Sequence, residues 1–145
     1  MTDLAPSAVR KIILADHEQL RAKLKGIEAV IESRSYSGLS KLLQEFTQLF
    51  LSHIDNEERI LRPVLRDLDA WGAVRVDRMN KEHAVQREEI RVLDLLVAAN
   101  RPEEYLEPVK KFIEEVYRDM NAEEQECLHP DVLKDDLIPV GGTSS

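Results

Sequence analysis

The chemistry of this chain is concentrated in His53-Ile54-Asp55-Asn56-Glu57-Glu58-Arg59-Ile60-Leu61-Arg62-Pro63. A His and a Glu four residues apart project from one side of a helix, one turn above the other. Upstream, the apolar residues are Leu39, Leu42, Leu43, Phe46, Leu49 and Phe50; downstream they are Ile60, Leu61, Val64, Leu65 and Leu68. Continuing that stripe through the middle lands on His53 and Glu57. An imidazole and a carboxylate thus stand where the core should be. Burying a charge unpaired is expensive, and a bound metal ion is one way to make the arrangement favourable.

The same intrusion recurs elsewhere. His17 falls on a stripe with Ile13, Leu20, Leu24, Ile27 and Ile31. His83 falls on one with Val76, Met79, Ile90, Leu93 and Val97, and Arg87 lies one turn further on. Glu124 shares a stripe with Val109, Ile113, Val116, Met120 and Cys127. One inward His is ordinarily a satisfied core residue. Three on three helices, with two carboxylates at the same level, point to metal ligation. Cys127 reads as a small core residue and His129, beside Pro130, as structural or exposed. Tyr117 reads as packing. Glu58, Glu123 and Glu126 read as solvated surface charges, with Glu58 able to reach the site's edge.

These positions need four helices to hold them. Residues 1–5 read as a disordered lead, 6–133 as the bundle and 134–145 as a flexible tail. Pro6 and Ser7 start a first helix that ends near Glu32, and Ser33–Gly38 is a turn. The second helix is expected from Leu39 to Asp69, with a kink or local break at Pro63. The third runs from about Ala73 to Ala99. The fourth starts at Pro102, favoured by Glu103 and Glu104 at the positive end of its dipole, and reaches about Leu128. Four amphipathic helices with short connections predict an all-α, up-down-up-down antiparallel four-helix bundle.

The two halves also resemble each other. His17 and His53 are 36 residues apart, and His83 and Met120 are 37 apart. Aligning Pro63 with Pro130 sets Met120 opposite His53 and Glu124 opposite Glu57.

Composition fits this frame. In 145 residues, 33% are charged and 43% hydrophobic, and glycine and aromatics are scarce, which favours helix over strand. The net charge of −8, with no basic patch on any predicted face, argues against nucleic acid. No apolar run is long enough to span a bilayer, and no signal-peptide segment is expected. One cysteine cannot form an internal disulfide, which fits a reducing cytoplasm. Gly-rich phosphate loops, nucleophile elbows and zinc-type Cys pairs are absent, so any catalysis would be metal-based.

From Asp16-His17-Glu18-Gln19-Leu20-Arg21 through Pro130, the chain resembles the hemerythrin-like family, the HHE cation-binding domains. The second-helix motif, with its Glu-Glu-x-hydrophobic-Leu-x-Pro tail, carries most of the likeness. The resemblance implies a four-helix bundle with a non-haem di-iron centre on His17, His53, Glu57, His83 and Glu124. It implies two irons per chain and a diatomic ligand, oxygen or nitric oxide, or peroxide, to bind, sense or remove. Arg87 stands where oxygen carriers have a second third-helix His, and Met120 where nearly all members have a His. Arg87 could pair with Glu57 or Glu124, and Tyr117 could turn inward as a phenolate donor. The alternative is a degenerate, metal-poor bundle that serves a protein partner. Haem ligation through Met120 is disfavoured by the carboxylates at its level.

Overall fold

The computed structural model describes residues 4–135, and all their regular structure is helical. Helix α1 spans Pro6–Ser33, α2 Leu39–Asn56, α3 Arg62–Leu68, α4 Gly72–Ala99 and α5 Pro102–Glu126. Most of the expected lead and tail, residues 1–3 and 136–145, lies outside the described residues. Leu4 packs on the core. Asp135 accepts hydrogen bonds from the Ser7 N–H at 2.9 Å and the Ser7 hydroxyl at 2.7 Å. The first turn of α1 has no side-chain cap of its own; Asp135 supplies one from 128 residues away.

The break anticipated at Pro63 falls ahead of it. Between α2 and α3 the backbone widens into a π-turn, Glu57–Leu61, in which the Arg62 N–H reaches back five residues to the Glu57 carbonyl. Pro63 has no N–H to give, so the ladder must be interrupted near here. A widened turn keeps the chain helical while absorbing one extra residue, and such turns often mark functional positions. The connection after α3 is tight. Asp69 Oδ1 accepts the Trp71 N–H at 2.8 Å and an Arg75 N–H at 2.7 Å. A Cβ on Gly72 would lie 2.6 Å from the Leu65 carbonyl oxygen and closer still to that of Arg66. Only glycine fits there.

Helix α1 packs against α2 and α5, and α4 packs against α2, α3 and α5. The core divides in two. A large apolar cluster includes Leu20, Leu24, Phe46, Phe50, Ile90, Phe112, Val116 and Met120. A smaller one holds Val9, Ile13, Leu61, Leu65, Met79, Leu128 and Leu133. Each long helix passes from one cluster to the other through a polar position: His17 follows Ile13, His53 and Glu57 precede Leu61, His83 follows Met79, and Glu123 precedes Leu128. This polar layer interrupts the apolar burial that otherwise drives the fold.

Candidate metal centre

Each of the three inward histidines is gripped from outside the layer. His17 Nδ1 lies 2.7 Å from Glu124 Oε2, His53 Nδ1 3.1 Å from Asp16 Oδ2, and His83 Nδ1 2.8 Å from Glu58 Oε2. These carboxylates have bracing of their own. Arg21 donates to Glu124 at 2.7 Å, Asn56 donates to Asp16 at 3.1 Å, and Arg87 forks onto both oxygens of Glu58 at 2.7 and 2.9 Å. The Arg87 hydrogen bond holds the Glu58 carboxyl down at about 2, against partial burial and with help from His83. Burial opposes ionisation of Asp16 and Glu124, yet His53 and Asn56 in one case, and Arg21 and His17 in the other, keep both below the usual carboxylate range. An ionised carboxylate can only accept, so each Nδ1 carries a proton and each Nε2 is turned inward. That is the carboxylate–histidine arrangement that orients imidazoles toward a metal.

Inside the layer, the three Nε2 atoms meet two carboxylates. His83 Nε2 lies 2.9 Å from Glu57 Oε1, His53 Nε2 lies 3.4 Å from Glu57 Oε2, and His17 Nε2 lies 2.9 Å from Glu123 Oε1. One donor atom from each of His17, His53, Glu57 and Glu123 lies within 4.8 Å of all the others. His17, His53, His83 and Glu57 are all at most 4% exposed. His17 Nε2 and Glu57 Oε2 are enclosed and have no hydrogen-bond partner; the Glu123 oxygen near His17 is off the line of a bond. Orphaned buried donor atoms are rare in folded proteins. Here they converge.

The electrostatics show what the layer does without a cation. Burial pushes Glu123 well above the ordinary carboxyl range, and the neighbouring Glu57 charge pushes it further. Burial also opposes the Glu57 charge, but Glu123, His53 and His83 together hold it well below its usual value. For His53, burial is outweighed by Glu57 and Asp16, and its pKa rises to about 9. Burial and the His53 charge lower His17. Protons on His53 and Glu123 therefore occupy ligand atoms, and a cation binding there would release them.

The inward carboxylate of α5 is Glu123. Glu124, expected in that role, instead braces the outer nitrogen of His17. Glu123, expected on the surface, has a side chain only 13% exposed. Tyr117 does not turn inward: its hydroxyl donates to Glu28 at 2.9 Å on the α1–α5 surface, and burial together with that contact pushes its pKa up to about 12. Arg87 pairs with Glu58 and Asp55, away from Glu57 and Glu124. Met120 is buried and lines a small cavity beside the layer with Phe50, Val116, Glu57 and Glu123. His129, half exposed, caps the chain after α5 by accepting the Asp131 N–H. Asp16 is hard to find from sequence because, one residue before His17, it lies off the inward stripe. Its charge next to a ligand-type His is the only signal there.

A family model settles the lineage: the hemerythrin HHE cation-binding domain matches residues 8–132. The chain belongs to the hemerythrin HHE cation-binding family. No curated protein and no solved structure matches it. The hemerythrin match covers α1 through α5 and every residue of the polar layer. Among the described residues no helix is long and apolar enough to cross a membrane. The donor set fits the cation the family name implies: three imidazoles held at Nδ1 from outside and two carboxylates, with His17 Nε2 and Glu57 Oε2 among them lacking a hydrogen-bond partner.

Proposed function

We propose that the layer holds a pair of iron ions and presents them to dioxygen, nitric oxide or peroxide. What supports this is the convergence of three inward Nε2 atoms on Glu57 and Glu123, with every Nδ1 already held from outside. Imidazole plus carboxylate suits iron, whereas thiolate or all-oxygen sets favour other cations. Glu57, with one oxygen beside His83 and the other beside His53, is positioned to be shared between two ions. Iron bound there supplies an open coordination position for the small ligand.

The chain's own residues shape that position. Met120 offers a thioether, a soft donor mismatched to iron, so α5 contributes Glu123 alone. Phe50, Val116 and Met120 line one part of the cavity, and Glu82, Gln86 and Asp119 line the rest beside the layer. A shell one nitrogen short favours reaction or sensing over reversible carriage. A metal-poor scaffold would leave His17 Nε2 buried without a hydrogen-bond partner, at about 1–3 kcal/mol, and Glu57 balanced only by protons on His53 and Glu123. We read the four long helices as alternating in direction, as their short connections favour, and assign the protein to the cytoplasm, where a lone Cys127 stays a thiol.

The test is metal content per chain by plasma mass spectrometry on tag-free protein, reconstituted with ferrous iron without air, with optical spectra before and after adding each small ligand. Two irons and a ligand-dependent spectrum are expected. A chain that retains no metal after reconstitution would sink the proposal.

A further inference from the structure

Helix α4 differs from the other long helices in having two apolar faces. One faces the core through Met79, His83, Gln86, Ile90, Leu93 and Val97. The other is exposed. Six large apolar side chains are exposed among the described residues, and five of them are Trp71 (64%), Val74 (51%), Val85 (58%), Val92 (48%) and Leu95 (59%), all on α4 or its cap. Isolated exposed apolar residues need no explanation, but these repeat. The positions 71, 74, 78, 81, 85, 88, 92 and 95 alternate three- and four-residue steps, the spacing of a coiled-coil seam. The other three members of the series are Arg78, Lys81 and Glu88, all solvent-facing.

We propose that this seam docks a second copy of the same chain, antiparallel, about a two-fold axis between positions 81 and 85. In that register Trp71 meets Leu95 of the second copy, Val74 meets Val92, Arg78 meets Glu88, and the Lys81 stem lies over Val85. The two-fold repeats each contact. Every apolar residue of the series is covered, and the Arg78–Glu88 pair forms twice. A parallel arrangement would oppose Arg78 to Arg78, Lys81 to Lys81 and Glu88 to Glu88, so the charges select the antiparallel one. Arg78 and Glu88 must first leave exposed partners, Glu126 and Arg91; such surface pairs contribute little. The seam is about 36 Å long and one helix wide, at the low end of a specific interface, so the dimer should form in the micromolar range. The proposal rests on the α4 surface alone and does not depend on the metal reading.

Sedimentation equilibrium on the full chain, from micromolar to submillimolar concentration, tests it. The sole tryptophan, Trp71, reports independently: its fluorescence should shift to the blue as the dimer forms. Arg78→Glu should weaken association tenfold or more by setting like charges together, and Arg78→Glu with Glu88→Arg should restore it. Val85→Glu should give a monomer with unchanged helical circular dichroism. A monomer at every concentration, a dimer indifferent to Val85→Glu, or a double reversal that fails to restore association would each overturn the proposal.

Discussion

The carbonyls of Glu57 and Glu123 each accept an N–H from five residues on, Arg62 in one case and Leu128 at 2.9 Å in the other. At Glu57 this bond belongs to a widened turn inside the helix, whereas the Glu123 carbonyl also keeps the ordinary bond from the Cys127 N–H at 2.8 Å, so there it closes the end of α5. One extra residue in the turn rotates the next stretch of helix by roughly 100°. It lets the helix aim Glu57 into the layer and still return Leu61 to the smaller core cluster, which Leu128 joins from just beyond α5. The internal repeat thus pairs Glu57 with Glu123, one residue away from the pairing that the prolines suggest.

This pairing predicts unequal consequences for adjacent residues. Glu123→Gln removes an inward donor and should abolish stoichiometric iron retention. Glu124→Gln removes a brace on His17 and should cost about 10–100-fold in affinity. Anaerobic ferrous titration against a competing chelator measures both. Equal losses, or a larger loss at 124, would reverse the assignment.

Met120→His adds an imidazole beside Glu57 and Glu123. It should tighten iron binding and alter the ligand-dependent optical spectrum, while the metal-free variant, with a buried imidazole in place of a thioether, loses about 1–3 kcal/mol of stability. Unchanged spectra in the reconstituted variant would show that position 120 lies outside the coordination shell.

Acid groups crowd the α4–α5 side. Burial, then the charge of Asp119, pushes Glu82 up to about 7; burial, then contact with Glu115, does the same to Glu89. Both folded values exceed the unfolded one of 4.5. The folded state binds these protons more tightly, so their contribution is fully present below pH 4.5 and is lost as pH rises toward 7. Metal-free protein should show a falling denaturation midpoint across that window, and Glu82→Gln should flatten it. A variant with the wild-type slope would refute the assignment.

Gly72→Ala should lower stability by about 1–3 kcal/mol, the usual cost of overpacking, because the new methyl meets the Leu65 and Arg66 carbonyls. Thermal unfolding monitored by circular dichroism should show a drop of several degrees. An unchanged midpoint would mean that α3 and α4 part without cost.

Much of the fold is legible in the sequence. Pro6, Gly38, Pro102 and the apolar periodicity mark the helix bounds, since those residues act locally. His17, His53, Glu57 and His83 show themselves by interrupting apolar stripes with polar side chains. Glu123 is hidden because Glu123 and Glu124 stand three and four residues after Met120, so helical spacing admits either one to the inward side. The bracing carboxylates Asp16 and Glu58 are hidden for another reason. They lie beside the stripe, and their partners come from other helices, so nothing in the local spacing reveals them. Tyr117 illustrates the reverse case: its register permits an inward turn, and Glu28, 89 residues away, decides otherwise.

The bond from Asp135 to Ser7 has a consequence for the order in which the molecule is completed. During synthesis the first turn of α1 emerges long before its cap does, and Val9 and Ile13 wait for Leu128 and Leu133, which arrive only with the last of the described chain. The larger apolar cluster can consolidate first, since all its members precede residue 121. The smaller cluster, which borders the polar layer, cannot close until Leu128 and Leu133 have been made. Until that closure the inward imidazoles are more open to the surrounding solution, so a cation reaches a nascent chain more readily than the finished one.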